Sequence, residues 1–144
     1  MTEVIDSFRG RYHFLSNFYP WPRPSIEHLF QAAKTLDKGW QKRIMEAKGP
    51  GEAKRLGRRA PLRDDWEKVK VGIMEDLVRK KFTEKVLAAD LLATDDALLI
   101  EGNTWGDTRW GMVKDGNGKW TGRNELGKIL MKVRQELRAF NETL

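Results

Sequence analysis

Apolar residues recur at the spacing of an α-helix in several stretches of this chain, and that pattern restricts the fold more than any other feature. The clearest stripe is Trp66, Val69, Ile73, Leu77 and Val78, which follows Asp64 or Asp65 as a predicted N-cap. Helices are also predicted from Ser25 to Leu36, near 39–47, over 52–57, after a Thr83 cap and after an Asn124 cap. The chain is therefore predicted to be mostly helical.

Strands are predicted in two places only. One or two short strands are expected between Ile5 and Phe18, and a buried strand is expected at 97–100. A tight turn is predicted at Gly116-Asn117-Gly118. The 144 residues contain no repeat or linker and match the commonest size of one domain. The predicted fold class is α+β, mostly α-helical, as a single compact domain over residues 1–144 with a small β element.

The composition excludes several classes of protein. The chain has no cysteine, so disulfides, thiolate catalysis and cysteine-ligated zinc are ruled out. His13 and His28 are the only histidines, too few to indicate a metal site. No apolar run of about 18 residues is present, and Met1-Thr2-Glu3 does not begin a signal peptide. We therefore expect a cytoplasmic protein that needs no membrane, metal or cofactor.

The net charge of +6 favours a partner that carries phosphate. Basic residues cluster between Lys48 and Arg63. Two interpretations of this cluster are equally supported: a solvated helix face, and a patch that faces a polyanion. Arg11, Arg63 and Arg123 are individual candidates for binding phosphate, with a solvated surface role as the alternative for each.

The segment Glu101–Gly111 is an unusual loop. It places Trp105 and Trp110 beside Asp107, among three glycines. Surface loops seldom carry large aromatic side chains, because ordering them there buries little area. Carboxylates beside flat rings, with glycines that let a ligand approach the backbone, suit a pocket for a nucleotide-like ligand. Farther along, Arg123-Asn124 opens the last helix, whose first amides are candidates for binding a phosphate.

The predicted helix from Ser25 carries a polar stripe beside its apolar face. Glu27, Gln31 and Lys34 lie at i, i+4 and i+7 on that helix. A glutamate at such a border can lose part of its hydration, which raises its pKa and prepares it for proton transfer. The alternative is the exposed side of an ordinary amphipathic helix, and the spacing alone favours that alternative.

Several sequence blocks together resemble the NADAR family, which is named for its association with NAD and ADP-ribose. The blocks are Phe14-Leu15-Ser16-Asn17-Phe18, Ile26-Glu27-His28-Leu29-Phe30-Gln31-Ala32-Ala33-Lys34, Glu52-Ala53-Lys54-Arg55-Leu56-Gly57-Arg58, Leu62-Arg63-Asp64-Asp65-Trp66-Glu67, Lys81-Phe82, Asn103-Thr104-Trp105-Gly106-Asp107-Thr108-Arg109-Trp110-Gly111 and Gly122-Arg123-Asn124-Glu125-Leu126-Gly127. They keep this order over nearly the whole chain. The resemblance implies a NADAR-like domain.

The resemblance also implies an activity and a set of site residues. Members of the family are N-glycosidases that act on riboflavin-pathway intermediates, or that remove ADP-ribose from guanine, including guanine in DNA. The resemblance implies that Glu27 and Asp107 are the essential acids and that Lys34 is the lysine of the helical motif. The substrate-binding residues expected from the matching blocks and the phosphate candidates are Trp66, Trp110, Asn17, Phe18, Gln31, Gly111, Asn124 and Arg11. The expected partners are an ADP-ribosyl or ribose-phosphate small molecule, or ADP-ribosylated DNA.

A two-carboxylate mechanism follows from this chemistry. Cleavage of a ribosyl C–N bond places positive charge on the sugar, and the departing nitrogen must be neutralised. We assign Asp107 to the sugar or water side and Glu27 to acid–base work. Lys34 has three candidate roles: to tune Glu27, to bind a phosphate, or to attack the aldehyde form of the sugar as a Schiff base.

One segment departs from the family pattern. Family members have a longer hairpin with a glycine turn before the Ile/Val-Glu-His motif. Here Pro20–Ser25 is short and contains three prolines, which disfavour a paired hairpin. We therefore expect this edge of the pocket to be rebuilt, with consequences for the choice of substrate.

Two other classes of function remain open. A non-catalytic module that binds ADP-ribose or another nucleotide would keep the aromatic residues and tolerate loss of the acids. A nucleic-acid-binding protein would use the basic cluster as its main surface and would bind unmodified DNA with a steep dependence on salt. The sequence contains no recognised DNA-reading motif, which places this second class last.

Overall fold

The computed structural model describes residues 2–21 and 23–143, and within them the chain is mostly helical. The described residues form six α-helices, one 3-10 helix and four two-residue strands. This confirms the predicted α+β fold class with its small β element. The residues cluster into two compact units, one being Asn17–Lys81 and the other the residues up to Ser16 with those from Phe82 onward. The expected single domain over 1–144 stays a prediction.

Four helices make up the first unit, hereafter the helical unit. They are α1 (Ile26–Ala33), α2 (Lys38–Met45), α3 (Pro50–Arg59) and α4 (Trp66–Lys81). Helix α1 packs against the other three, and α2 also packs against α3. Ala32, Ile44 and Ala53 are buried together where α1, α2 and α3 meet. Because α1 lies at the centre of this unit, polar residues on it are shielded from water.

The start of α1 was predicted correctly. Ser25 is its N-cap, and the Ser25 hydroxyl accepts a hydrogen bond from the His28 amide at 3.2 Å. The helix predicted over 52–57 is present as α3, which begins at Pro50 and is longer than predicted. Pro50 occupies the first turn of α3, where its fixed φ suits a helix and its missing N–H costs nothing. Pro22, in the proline-rich segment, lies outside the described residues.

The second unit, hereafter the mixed unit, combines short strands with two helices. It contains β1 (Val4–Ile5), the 3-10 helix Gly10–Leu15, α5 (Lys85–Leu92), β2 (Leu98–Leu99), β3 (Val113–Lys114), β4 (Trp120–Thr121) and α6 (Glu125–Glu142). β1 pairs with β2 in parallel and β3 pairs with β4 antiparallel. α6 packs against α5 and β2. The predicted strand at 97–100 is thus confirmed at Leu98–Leu99, whereas the segment after β1 is a 3-10 helix.

The caps of the last two helices differ from the prediction. Glu84, and not Thr83, caps α5, since the Glu84 carboxylate accepts the Leu87 amide at 2.9 Å. Asn124 does occupy the N-cap position of α6, but its side chain makes no capping bond there. Its backbone is left-handed, with φ of 52°, and its amide is used elsewhere in the unit. Each helix within residues 2–21 and 23–143 is too short or too polar to span a lipid bilayer.

Candidate active site

Glu27 lies on α1 and is buried, with only 7% of its surface exposed. Its carboxylate Oε1 accepts a hydrogen bond of 2.8 Å from Gln31 Nε2, one helical turn farther along. The Glu27 amide donates to the Asn17 carbonyl at 3.1 Å, which places the Asn17 backbone beside the start of α1. The exposed-helix interpretation of the polar stripe is therefore wrong for Glu27 and Gln31: both are buried and joined to each other.

Gln31 is itself 3% exposed, and its Oε1 has no hydrogen-bond partner among the described residues. The side chain lies against Gly57 of α3. A methyl group on Gly57 would stand 2.7 Å from Gln31 Cδ and closer still to Gln31 Oε1. Since side chains do not pack that closely, only glycine at position 57 leaves room for the observed Gln31 position.

Lys34 follows α1 directly and is partly buried. Burial lowers the pKa of the Lys34 ammonium below its ordinary value, and the charge of Glu27 opposes this by raising it. The nearby cations Arg58, Lys54 and Lys70 lower the Lys34 pKa further. The ammonium makes no hydrogen bond or ion pair with the described residues. A lysine in this environment has a larger neutral fraction than an exposed one and lies close to three other positive charges.

The aromatic residues of the helical unit have different environments. Trp66 is 6% exposed and packs on Phe30, with ring centroids 5.0 Å apart. This contact supports a core role for Trp66, and its stacking on substrate stays a prediction. Phe18 is exposed, and the Lys54 Nζ lies 5.9 Å from the centre of its ring.

Asp107 of the mixed unit organises the loop 101–111 rather than pointing freely into solvent. Its Oδ1 accepts the backbone amides of Arg109 at 3.0 Å and Trp110 at 2.9 Å. Asn103, which is 7% exposed, forms hydrogen bonds with both the backbone carbonyl and the backbone amide of Asp107. Asn103 Nδ2 donates to the Asp107 carbonyl at 2.8 Å, and the Asp107 amide donates to Asn103 Oδ1 at 3.0 Å. The side-chain oxygen, the turn and Trp110 are therefore fixed relative to one another.

Asn103 is a residue to which the sequence analysis assigned no role. It stood in one of the sequence blocks that match the family, but its spacing from Asp107 does not reveal two reciprocal bonds. The only available signal was an asparagine four residues before an acid in a glycine-containing loop, which fits many ordinary turns.

Asn124 and Gly111 have structural roles in the same unit. Asn124 is 5% exposed; its Oδ1 accepts the Glu101 amide at 3.0 Å and its Nδ2 donates to the Leu99 carbonyl at 2.9 Å. Gly111 is buried, and a Cβ there would lie 2.8 Å from Asn103 Nδ2 and from Glu101 Cγ. Close packing within the loop accounts for glycine at this position. Substrate contacts of Asn124 and Gly111 stay predictions.

The first amides of α6 do not form the predicted phosphate site. The Glu125 amide donates to the Arg109 carbonyl at 3.1 Å, and the Leu126 amide donates to the Trp110 carbonyl at 3.0 Å. The expectation is wrong because the loop carbonyls already satisfy these donors. The Arg109 side chain adds a bond of 2.8 Å to the Glu125 carboxylate.

The three arginines proposed for phosphate also differ. Arg63 is already bound to both oxygens of Asp65, at 2.6 Å and 3.1 Å, and this bond raises the pKa of Arg63. Its charge is thus largely matched by a protein carboxylate. Arg11 is exposed, 4.9 Å from the centre of the Tyr12 ring, and Arg123 is exposed as well. Arg11 and Arg123 stay candidates.

The residues described do not form a metal centre. No group of three or more His, Asp or Glu side chains in residues 2–21 and 23–143 could hold a metal ion. His28 is a structural residue: its Nδ1 lies 2.7 Å from the Ser25 hydroxyl and its Nε2 lies 2.9 Å from the Ala47 carbonyl. The candidate site residues supply carboxylates, an amine and aromatic rings.

The structure is a mostly helical α+β chain that contains a buried pair, Glu27 and Gln31, and a loop with tryptophans that is organised around Asp107. The family model described as the NADAR domain matches residues 7–138. The chain belongs to the NADAR family.

Individual relatives agree with this assignment. The N-glycosidase YbiA of Shigella boydii serotype 4 is 42% identical, over 95% of this chain and 91% of the relative. The NMR structure of the Escherichia coli protein YbiA has a TM-score of 0.80 and 38% identity, covering 98% of this chain and 89% of that chain. The riboflavin biosynthesis protein VVA0006 of Vibrio vulnificus is 42% identical in an alignment that covers 86% of this chain and 35% of that protein. These names confirm the predicted enzyme class, hydrolases acting on N-glycosyl compounds.

Proposed function

We propose that this chain hydrolyses the bond between the anomeric carbon of a phosphorylated ribose and a nitrogen atom. The observation that carries the proposal is the buried Glu27 carboxylate, held by Gln31 at 2.8 Å and placed near the partly buried Lys34. A buried carboxylate that is positioned by a neutral donor can exchange a proton with a substrate while its orientation stays fixed. In an ordinary amphipathic helix at a protein surface, such a polar pair would be exposed to water.

The roles proposed for the two carboxylates follow from the chemistry of C–N cleavage. As the bond breaks, the ribose ring gains positive charge and the departing nitrogen needs a proton. We propose that Glu27 carries out this acid–base step and that Asp107 stabilises the sugar or activates water. The support for Asp107 is that its carboxylate is fixed by two backbone amides at 3.0 Å and 2.9 Å. A carboxylate fixed in this way loses little freedom when it meets the transition state.

For Lys34, tuning of Glu27 is the role with the most direct support. The two charges attract each other strongly enough to offset part of the burial effect on the Lys34 pKa. The other two roles, phosphate binding and attack on the aldehyde form of the sugar, also fit a lysine with a lowered pKa. The nearby cations Arg58, Lys54 and Lys70 support phosphate binding in this region.

Two substrates are proposed, and both contain phosphorylated ribose. Phosphoribosyl intermediates of the riboflavin pathway are supported by relatives named riboflavin biosynthesis proteins, in Vibrio vulnificus and in Zea mays. ADP-ribosylated guanine, as a nucleotide or in DNA, is supported by the density of positive charge around Lys34. A ribose phosphate or ADP-ribose is released in the two cases respectively.

The test is to incubate the purified protein with each substrate and to identify the released sugar by mass spectrometry. Glu27→Gln keeps an oxygen acceptor for Gln31 and removes the acid. Glu46→Gln makes the same chemical change at an exposed position of the helical unit, where the acid only faces Lys42 at 4.0 Å. Release by wild type and Glu46→Gln, but not by Glu27→Gln, is expected. Tight binding of ADP-ribose without release from either substrate would contradict hydrolysis and indicate a binding module instead.

A further inference from the structure

The positive charge of the chain is concentrated in one stretch. Residues 38–63 contain nine Lys and Arg residues and two acids, a surplus of seven positive charges. The whole chain has a net charge of +6, so the remaining residues together carry a net charge of −1. Such an asymmetry indicates a surface for a negatively charged partner, provided that the structure leaves these charges accessible and unpaired.

Helices α2 and α3 satisfy that condition. Arg43 on α2 and Arg55, Arg58 and Arg59 on α3 are all exposed. None of the four guanidinium groups makes an ion pair with the described residues. Arg55, Arg58 and Arg59 lie at i, i+3 and i+4, so they share one side of α3. We call these four residues, together with Trp40, the α2–α3 arginine surface.

Trp40 brings the two helices' arginines together. The Arg43 guanidinium carbon lies 4.3 Å from the centre of the Trp40 ring, and that of Arg59 lies 5.8 Å from it. A guanidinium held on an indole face loses rotational freedom before any ligand arrives, while its in-plane N–H groups remain able to donate. Arg43 and Arg59 are thus preorganised to bind planar or tetrahedral oxyanions.

The like charges on this surface repel one another, and none of them forms an ion pair within residues 2–21 and 23–143. A surface with two arginines at one ring and two more on α3 therefore binds most favourably to a partner with several closely spaced anions. The surface also continues toward Lys34, because the charge of Arg58 is close enough to lower the Lys34 pKa.

We propose that the α2–α3 arginine surface binds the phosphodiester backbone of a nucleic acid. ADP-ribosylated guanine in DNA is one of the two proposed substrates, but this inference concerns a separate surface and does not depend on hydrolysis, because backbone binding needs no scissile bond. Helix α3 has ten residues and is about 15 Å long, and duplex DNA presents about one phosphate charge per 1.7 Å of its axis. An anionic bilayer is a poorer fit, since Trp40 is half-buried beneath the arginines and cannot insert as an apolar anchor.

The experiment measures binding of the full-length protein to a fluorescent, unmodified DNA of about 20 base pairs by anisotropy, over about 50 to 200 mM salt. Four phosphate contacts predict a slope of log K against log salt of about −3 to −4, a loss of roughly 100-fold in affinity over that range. Arg43→Glu/Arg59→Glu should weaken binding at least about tenfold at the lower salt and make the slope shallower by about 2. Arg43→Gln/Arg59→Gln is the milder version, in case the charge reversal impairs folding.

Lys85→Glu/Lys128→Glu is the matched control. It makes the same change in net charge at exposed positions of α5 and α6. The control should bind DNA close to wild type, and all variants should keep wild-type hydrolysis of a small ribosyl substrate. Equal loss in both double variants, or tighter binding to polyglutamate or phosphatidylserine vesicles than to DNA, would overturn the proposal. Failure of hydrolysis with intact DNA binding would count against the proposed function alone.

Discussion

Gly57→Ala is the substitution for which the structure and simple helix propensity give opposite predictions. Alanine normally replaces glycine inside a helix with a gain of about 1 kcal/mol in the free energy of unfolding. In this protein the new methyl group would lie 2.7 Å from Gln31 Cδ and 3.0 Å from Gln31 Cβ. Gln31 is 3% exposed and cannot simply rotate into water. We therefore expect the contact to outweigh the propensity.

The magnitude follows from three contributions. Forcing a methyl group into a packed site costs about 1 to 3 kcal/mol. Displacing Gln31 from Glu27 leaves buried polar groups unpaired and costs about 1 to 3 kcal/mol. After the gain of about 1 kcal/mol from propensity, Gly57→Ala should lower the free energy of unfolding by about 1 to 5 kcal/mol. Since Gln31 positions Glu27, turnover should also fall by about 10- to 100-fold.

Equilibrium urea denaturation measures the first effect and the rate of ribosyl C–N hydrolysis measures the second. Gly72→Ala is the matched control, because Gly72 lies inside α4 and a Cβ there meets nothing within 4 Å. That control should raise the free energy of unfolding by about 0.5 to 1 kcal/mol and leave turnover unchanged. A Gly57→Ala protein as stable and as active as Gly72→Ala would show that the position of Gln31 does not depend on a glycine at position 57.

Three further predictions address other buried or fixed groups. The pKa of Lys34 in the folded protein lies below its ordinary value of 10.5. The unfolded chain therefore keeps the Lys34 proton to higher pH than the folded protein does. The free energy of unfolding should thus rise with pH between the lowered pKa and 10.5. Lys34→Met should flatten that rise in urea titrations at several pH values, and an unchanged rise would exclude Lys34 as its source. Asn124→Ala should cost about 2 to 4 kcal/mol and Asn124→Gly about 1 kcal/mol less, because φ is 52°; equal losses in thermal denaturation would contradict the strain argument. Asp107→Asn keeps an Oδ1 acceptor and should stay folded with reduced turnover, whereas an equally active Asp107→Asn would remove Asp107 from the chemistry.

The helices could be predicted because their information is local. Residue spacing and side-chain chemistry predict short-range structure at three places: the Ser25 cap of α1, the apolar stripe of α4 and the turn at 116–118. The start of α3 and the cap of α5 differ from the prediction because local signals compete there. Pro50 ends one helix pattern and also suits the first turn of another, and Thr83 and Glu84 are adjacent polar residues of which only Glu84 caps.

The candidate site was predictable in its residue types but not in its contacts. The i, i+4 spacing placed Glu27 and Gln31 on one side of a helix, yet their burial depends on α1 packing against three other helices. In the same way, nothing in the sequence spacing shows that the loop carbonyls of Arg109 and Trp110 take the first amides of α6. Those are long-range hydrogen bonds, which depend on tertiary structure.

A comparison of catalysis and substrate binding in Glu27→Gln separates an acid–base role of Glu27 from a role in binding alone. Single-turnover hydrolysis of the ribosyl substrate and its equilibrium Kd are measured for wild type and for the variant. We expect the hydrolysis rate to fall by about 100- to 10,000-fold, the range for loss of a general acid or base, with Kd changed by less than about threefold. A variant that hydrolyses the substrate at the wild-type rate would contradict the account, because the buried Glu27–Gln31 pair would then have no part in the reaction.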